Sequence, residues 1–132
     1  MLKIYTCMEA LFRDYTRPNF KLVRDADTYF NQLVKDGRID IKVCREVADW
    51  LSTDRRVRNG RDMLKMSTSC KTLVLASQFP DLIVVTSNIT REAMITWLAM
   101  FNKSDRAIVF YPPEVDTRFQ YDTISPQCIL LH

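Results

Sequence analysis

The sequence predicts a single α+β domain over residues 1–132, in which a mostly antiparallel sheet of four to five strands packs with about three helices. Residues 71–76 and 82–86 are short apolar runs, joined by about five residues that include the turn at 79–81. A connection this short favours an antiparallel hairpin, because a parallel crossover needs a dozen residues or more. Helical patterns before and after this pair give the element order β-α-α-β-β-α-β-β.

Size and composition agree with one ordinary globular domain. The chain has 132 residues, of which 47% are hydrophobic and 27% charged, so a packed core is expected and extensive disorder is not. Gly37 and Gly60 are its only glycines. Because a Walker loop or a GxGxxG turn needs several glycines to bring backbone N–H groups to a phosphate, no nucleotide cofactor is predicted.

The first half of the chain is predicted to hold a short strand at 2–6 and two amphipathic helices. The helix at 25–35 begins at Asp25, which can accept hydrogen bonds from the first turn, and ends before Gly37, which can adopt a left-handed conformation. A second helix follows Asp40 over 41–52. The next stretch, 53–69, is the most polar and is predicted to be a loop with a short helix near residues 62–66.

The second half of the chain is predicted to be richer in strands. Ser87 and Asn88 are candidate caps for a helix whose apolar face includes Met94 and Trp97. A strand at 107–111 follows, and the alternation over 118–124 favours an edge strand. Residues 128–131 are apolar enough to dock back on the sheet.

Neither a metal site nor a catalytic set is predicted. The four cysteines form no CxxC pair, and the one histidine is His132, so ligands for a tetrahedral zinc site are lacking. Cys44 and Cys70 lie in or beside apolar elements and are predicted to be core residues. The remaining cysteines, Cys7 and Cys128, lie at strand margins and are also better explained by structure. Carboxylates that are close in sequence are explained by helix capping and turns, so the chain is predicted not to be an enzyme.

The expected location is the cytoplasm. The N-terminal residues lack the basic region and long apolar run of a signal peptide, and no apolar run reaches the length that spans a bilayer. We therefore expect reduced thiols and no membrane partner.

The one concentrated charge in the chain is an arginine-rich stretch within 52–66. It carries five cations and two anions, a local net charge of +3, which equals that of the whole chain. Arginine suits bidentate contacts to phosphate or carboxylate. Its cationic members are Arg55, Arg56, Arg58, Arg61 and Lys65.

These features favour a small, non-enzymatic binding or regulatory protein that acts through a protein–protein surface. The basic loop is one candidate surface, and a sheet edge that includes Arg118, Phe119 and Tyr121 is the other. Proteins of this size from phages and mobile elements often inhibit a host protein in this way. The alternative is nucleic-acid binding by the arginine-rich loop 54–65, although this loop lacks the aromatic residues that would stack on bases.

Overall fold

The structure, a computed structural model, describes residues 3–5, 11, 13, 20–52, 62–86, 89–101, 107–110 and 129–131. Apart from Leu11 and Arg13, which are also helical, these residues form five strands, four α-helices and one short 3-10 helix. In chain order the elements are β1 (Lys3–Tyr5), β2 (Lys21–Val23), α1 (Ala26–Lys35), α2 (Ile41–Leu51), the 3-10 helix (Asp62–Lys65), α3 (Thr68–Gln78), β3 (Leu82–Thr86), α4 (Arg91–Met100), β4 (Ala107–Phe110) and β5 (Ile129–Leu131).

All five described strands belong to one sheet with the order β1-β4-β3-β2-β5. Every neighbouring pair is parallel: Ile83 of β3 lies opposite Leu22, and Val84 lies opposite Ile108. All five residues of β3 are buried, as is typical of a central parallel strand that is covered on both faces. Helices and strands are both present as predicted, but the prediction of a mostly antiparallel sheet is wrong.

The error arises at residues 71–76, which are part of helix α3 and not a strand. Every residue from Cys70 to Ser77 is buried, so the helix has no polar face and shows no helical periodicity in the sequence. A continuous apolar run of this kind looks the same in a buried strand and in a buried helix. With α1, α2 and α3 all lying between β2 and β3, the connection is long enough for these strands to pair in parallel.

Helix α3 is the centre of the packing. It contacts β3 on the sheet and the three other α-helices around it. Trp97 of α4 is almost fully buried, and its indole N–H donates to the Ser77 hydroxyl of α3. The Trp97 ring also packs on Phe101, with 3.9 Å between centroids, and on Trp50 of α2 at 5.7 Å. This aromatic cluster joins α2, α3 and α4 into one core.

Helices α1 and α2 agree with the sequence prediction. Asp25 accepts a hydrogen bond from the Thr28 amide at 3.0 Å, and Asp40 accepts one from the Lys42 amide at 2.8 Å. Gly37 ends the α1 region with φ at +69°, a left-handed conformation in which a β-carbon is strained. The predicted inward faces are buried at Ala26, Phe30 and Leu33 in α1 and at Cys44, Val47 and Ala48 in α2.

The loop between α1 and α2 is hydrogen-bonded to the last residue of α3. The Gln78 side chain donates to the carbonyl oxygen of Arg38 at 2.6 Å and accepts from the amide of Asp40 at 3.0 Å. The Arg38 guanidinium also lies 5.5 Å from the ring centroid of Phe79. These contacts fix the carboxyl end of α3 just before β3 begins.

Several other predictions have mixed outcomes. The strands at 82–86 and 107–110 and the short helix at 62–65 are confirmed, whereas β2 was not predicted. Residues 129–131 dock on the sheet as expected, beside β2. The predicted edge strand at 118–124 lies outside the described residues, as do Ser87 and Asn88. The cap of α4 is Thr90, whose hydroxyl accepts from the Ala93 amide at 3.2 Å.

We expect Thr90→Ala to lower the free energy of unfolding by about 1 kcal/mol, because it leaves an amide in the first turn of α4 without its side-chain acceptor. Urea denaturation of the variant measures this. Thr96→Ala is the matched control, since Thr96 is exposed in the middle of the same helix. Equal effects of the two substitutions would contradict the capping role.

Candidate functional site at the carboxyl edge of the sheet

The N-termini of α1 and α3 meet beside the carboxyl ends of the parallel strands. Helix α1 starts directly after β2, and α3 ends just before β3, so the start of α3 lies at the edge where β2 ends. The two helix N-termini are in contact, because the Thr68 hydroxyl of α3 donates a hydrogen bond to Asp27 Oδ2 of α1 at 2.7 Å. In open parallel sheets this edge is the usual place for ligands and partners to bind.

Lys71 is the buried charge of this region. Its side chain is 4% exposed, and its Nζ lies 3.0 Å from Asp27 Oδ1. The same ammonium donates to the carbonyl oxygen of Leu64 at 3.2 Å and lies 5.5 Å from the ring centroid of Phe30. Lys71 therefore connects α3 with α1 and with the 3-10 helix.

Asp27 is the counterion of Lys71 and remains 45% exposed. Burial by itself would raise the pKa of Asp27, but the hydrogen bonds from Thr68 and Lys71 and the charge of Lys71 outweigh it. The pKa of this carboxyl therefore lies below its ordinary value, and the group stays ionised at neutral pH. Both of its oxygens already have partners within the chain, so the pair acts as a structural link.

The 3-10 helix is anchored from inside and presents two side chains outward. Met63 and Met66 are buried, and the Cys44 thiol donates to the sulfur of Met63 at 3.5 Å. Leu64 is 40% exposed despite being apolar, and Lys65 beside it is also exposed. The surface formed by these two side chains is called the Leu64–Lys65 surface below.

Most of the residues predicted to bind lie outside the described part of the chain. This holds for Arg55, Arg56, Arg58 and Arg61 of the basic loop and for Arg118, Phe119 and Tyr121 of the sheet-edge surface. Lys65 is the exception, and it is exposed at the end of the 3-10 helix. That the basic loop and the sheet edge form binding surfaces therefore stays a prediction.

Sequence reasoning missed the Asp27–Lys71 pair. Lys71 begins the run 71–76 that the sequence predicts as a strand, and Asp27 lies in the first turn of the helix predicted at 25–35. The available signal was a single lysine inside the apolar run that starts at Cys70. A long charged side chain in such a run indicates a buried cation that needs a partner.

The two described cysteines are core residues, as predicted. Cys44 and Cys70 are fully buried and neither forms a disulfide. Burial, followed by the negative charge of Asp40, raises the pKa of the Cys44 thiol to about 12, with a small opposing effect from a backbone hydrogen bond. A thiol with this pKa is a poor nucleophile at neutral pH.

A second exposed apolar surface lies on the outer side of α4. Ile95 is 41% exposed and Met100 62% exposed, whereas Met94, Trp97 and Leu98 on the inner side are buried. The outer side of α4 therefore combines exposed apolar residues with the polar Arg91, Glu92 and Thr96. This surface provides a useful comparison for experiments on the Leu64–Lys65 surface.

Comparisons with known proteins identify no relative. No protein-family model matches the chain, and neither a curated protein nor a solved structure matches it. Among the described residues, no group of three or more histidine, cysteine or acidic side chains is placed to hold a metal ion. The helices of the same residues are all too short or too polar to cross a membrane.

We expect Asp27→Asn to lower the free energy of unfolding at pH 7 by roughly 2–3 kcal/mol, because the Lys71 ammonium stays buried without a counterion. Losing one partner of a fully buried pair costs about 3–5 kcal/mol, and the partial exposure of Asp27 reduces this. Urea denaturation measures the difference. Asp49→Asn, on the exposed face of α2, is the control and should have little effect.

The same pair has a predictable acid dependence. The pKa of Asp27 is lowered in the folded protein, so its contribution is complete above the unfolded-state value of about 3.9 and is lost as the pH falls through the folded-state value. The wild type should therefore lose stability on acidification more steeply than Asp27→Asn. Parallel pH dependences would contradict the assignment.

We expect the buried thiols to be unreactive in the folded protein. A variant with Cys7→Ser and Cys128→Ser retains Cys44 and Cys70, and at pH 8 a pKa of about 12 leaves about one Cys44 in 10⁴ as thiolate. A disulfide reagent such as Ellman's reagent should modify both thiols in concentrated urea and neither in buffer. Rapid modification of Cys44 in buffer would show that this thiol is accessible and activated.

Proposed function

We propose that the protein acts by binding another protein, through a surface at the carboxyl edge of the sheet that includes Leu64 and Lys65. The observation that carries this proposal is the exposed Leu64 side chain, held beside the exposed Lys65 on a turn that the burial of Met63 and Met66 fixes in place. Lys65 beside it adds a positive charge. The arginine-rich stretch leads directly into this turn in the sequence.

Specific protein surfaces combine an apolar centre with a polar or charged rim. Leu64 supplies an apolar centre and Lys65 a cation, and four more cations precede this turn in the sequence. The turn is held by the burial of Met63 and Met66, so less conformational freedom is lost on binding than for a free loop. These points support a binding role in which no bond of the partner is made or broken.

The proposal has two narrower parts. Inhibition of a host protein, as by small proteins of phages and mobile elements, is proposed from the chain's size and from its lack of a recognisable catalytic set. A cytoplasmic location is proposed because Cys44 and Cys70 are not in disulfides. The sheet-edge surface of Arg118, Phe119 and Tyr121 stays a second candidate contact.

Nucleic-acid binding by the arginine-rich loop 54–65 is the alternative. The local net charge of +3 favours it, since phosphate contacts dominate non-specific affinity for nucleic acid. Labelled single-stranded DNA and RNA distinguish the two functions. Binding that falls steeply with salt and is lost when Arg55, Arg56 and Arg58 are changed to Ala would favour this alternative.

We expect a tagged wild-type chain to capture one stoichiometric protein from a host lysate. Capture should be lost with the double substitution Leu64→Ser and Lys65→Glu, because this removes the apolar contact and reverses the charge. The matched control is Ile95→Ser with Met100→Ser, which alters the exposed surface of α4. Thermal unfolding of both variants checks that they fold.

The outcomes separate the surfaces clearly. Loss of capture with the Leu64 and Lys65 variant alone supports the proposed surface. Loss with the α4 variant alone would move the contact to α4 and contradict the surface. Failure to capture any protein from several hosts would contradict protein binding itself.

A further inference from the structure

We infer that Lys71 is a positioning residue, which holds the Leu64–Lys65 surface in place to receive an acidic protein segment that carries an apolar side chain. The inference rests on the proposed function and deepens it, because it names the chemistry of the partner. It also gives a role to the most deeply buried charge that the structure describes. Three steps lead to it.

The turn that carries Leu64 and Lys65 is held by contacts with the core. The side chains of Met63 and Met66, on either side of it, are buried, and the Met66 amide donates to the Met63 carbonyl at 3.3 Å. The carbonyl of Leu64 points inward and accepts from Lys71 Nζ. Since this carbonyl is directed toward the ammonium, the orientation of the backbone between Leu64 and Lys65 is fixed.

The second step is why the buried residue is a lysine. Burying an ammonium is costly, and replacing a buried ion pair with apolar groups of similar volume is often neutral or stabilising. Met would fill a similar volume inside α3, whose neighbouring residues Leu73, Val74 and Leu75 are apolar and buried. Besides its ion pair with Asp27, the lysine supplies a hydrogen bond to the Leu64 carbonyl, which Met could not donate. Its role is therefore better explained by the position of the turn than by stability.

The third step is the chemistry of the partner. The stretch 52–66 has five cations against two anions, and Lys65 is the member that the structure shows exposed. Asp27, which lies at the start of α1, is already neutralised by Lys71. An apolar side chain beside an exposed cation is complementary to carboxylates that flank an apolar residue. Leu64 offers no flat face for base stacking, which favours a protein over a nucleic acid.

The experiment compares Lys71→Met with Lys42→Met. Both substitutions remove one positive charge, but Lys42 is exposed on α2 and its ammonium is not part of the turn. Binding is measured by fluorescence anisotropy with a labelled peptide of Glu and Leu, about 12 residues long. A peptide of Glu and Ser and single-stranded oligo(dT) are the comparison probes.

We expect the wild type to bind the Glu and Leu peptide more tightly than either comparison probe. Lys71→Met should weaken this binding about fivefold or more, as loss of a well-positioned contact does, while Lys42→Met changes it less than about twofold. The midpoint of urea unfolding should stay near that of the wild type in both variants. Lys71→Arg, which keeps a donor and the charge, should restore most of the binding.

Hydrogen exchange provides a readout that needs no partner. In Lys71→Met the Met66 amide should exchange faster, because the turn loses its link to α3, whereas amides inside α3 should keep their protection. In Lys42→Met the Met66 amide should exchange as in the wild type. Unchanged exchange of this amide in Lys71→Met would overturn the positioning role.

Other outcomes also decide the inference. Equal peptide binding by Lys71→Met and wild type would overturn it, as would failure of Lys71→Met to fold, since the lysine would then serve stability. Preference for oligo(dT), or no peptide binding by the wild type, would overturn the acidic protein partner. If lysate capture succeeds but is insensitive to Lys71→Met and Leu64→Ser, the proposed function stands and this inference fails.

Discussion

The burial of helix α3 on all sides is the constraint on which the rest of the structure depends. A helix without a polar face must be covered from every direction, and here β3 covers it together with α1, α2 and α4. The connection from β2 to β3 runs through α1, α2 and α3. This connection is long enough to cross over the sheet, so β2 and β3 can pair in parallel.

This burial also explains why a charge is found in the core. Once α3 is covered, the ammonium of Lys71 has no route to bulk water and must find its partners within the chain. Asp27 supplies the charge, the Leu64 carbonyl a hydrogen bond and Phe30 an aromatic face. All three lie where α1 and the 3-10 helix meet the start of α3. The same ion pair therefore links the core to the surface on which binding is proposed.

The helices that sequence reasoning predicts are those with a polar side. Helices α1 and α2 have clear caps at Asp25 and Asp40 and a regular apolar stripe, so both were predicted with nearly correct ends. Helix α3 was mistaken for a strand because its burial removes the periodicity on which such reasoning depends. One misassigned segment then reversed the expected strand direction, since a hairpin and a long helical crossover impose opposite pairings.

The candidate site was predictable only in part, for a related reason. Charges that cluster along the sequence, such as the cations around Lys65, are visible without a structure. The contact between Asp27 and Lys71 joins residues far apart in the chain. The local sign that α3 is a helix is Ser67 just before it, whose hydroxyl accepts a hydrogen bond from the Cys70 amide. Only knowledge that α3 is a helix beside α1 brings the two charges together.

The strand order has a consequence for folding during synthesis. β2 lies between β3 and β5, and its partner on the outer side, β5, follows it in the chain by roughly a hundred residues. Until β5 has been made, the outer N–H and C=O groups of β2 have no strand partner and can pair with any extended chain nearby. The nascent protein thus exposes this edge of β2 until β5 has been made, and β5 then becomes the edge strand among the described strands.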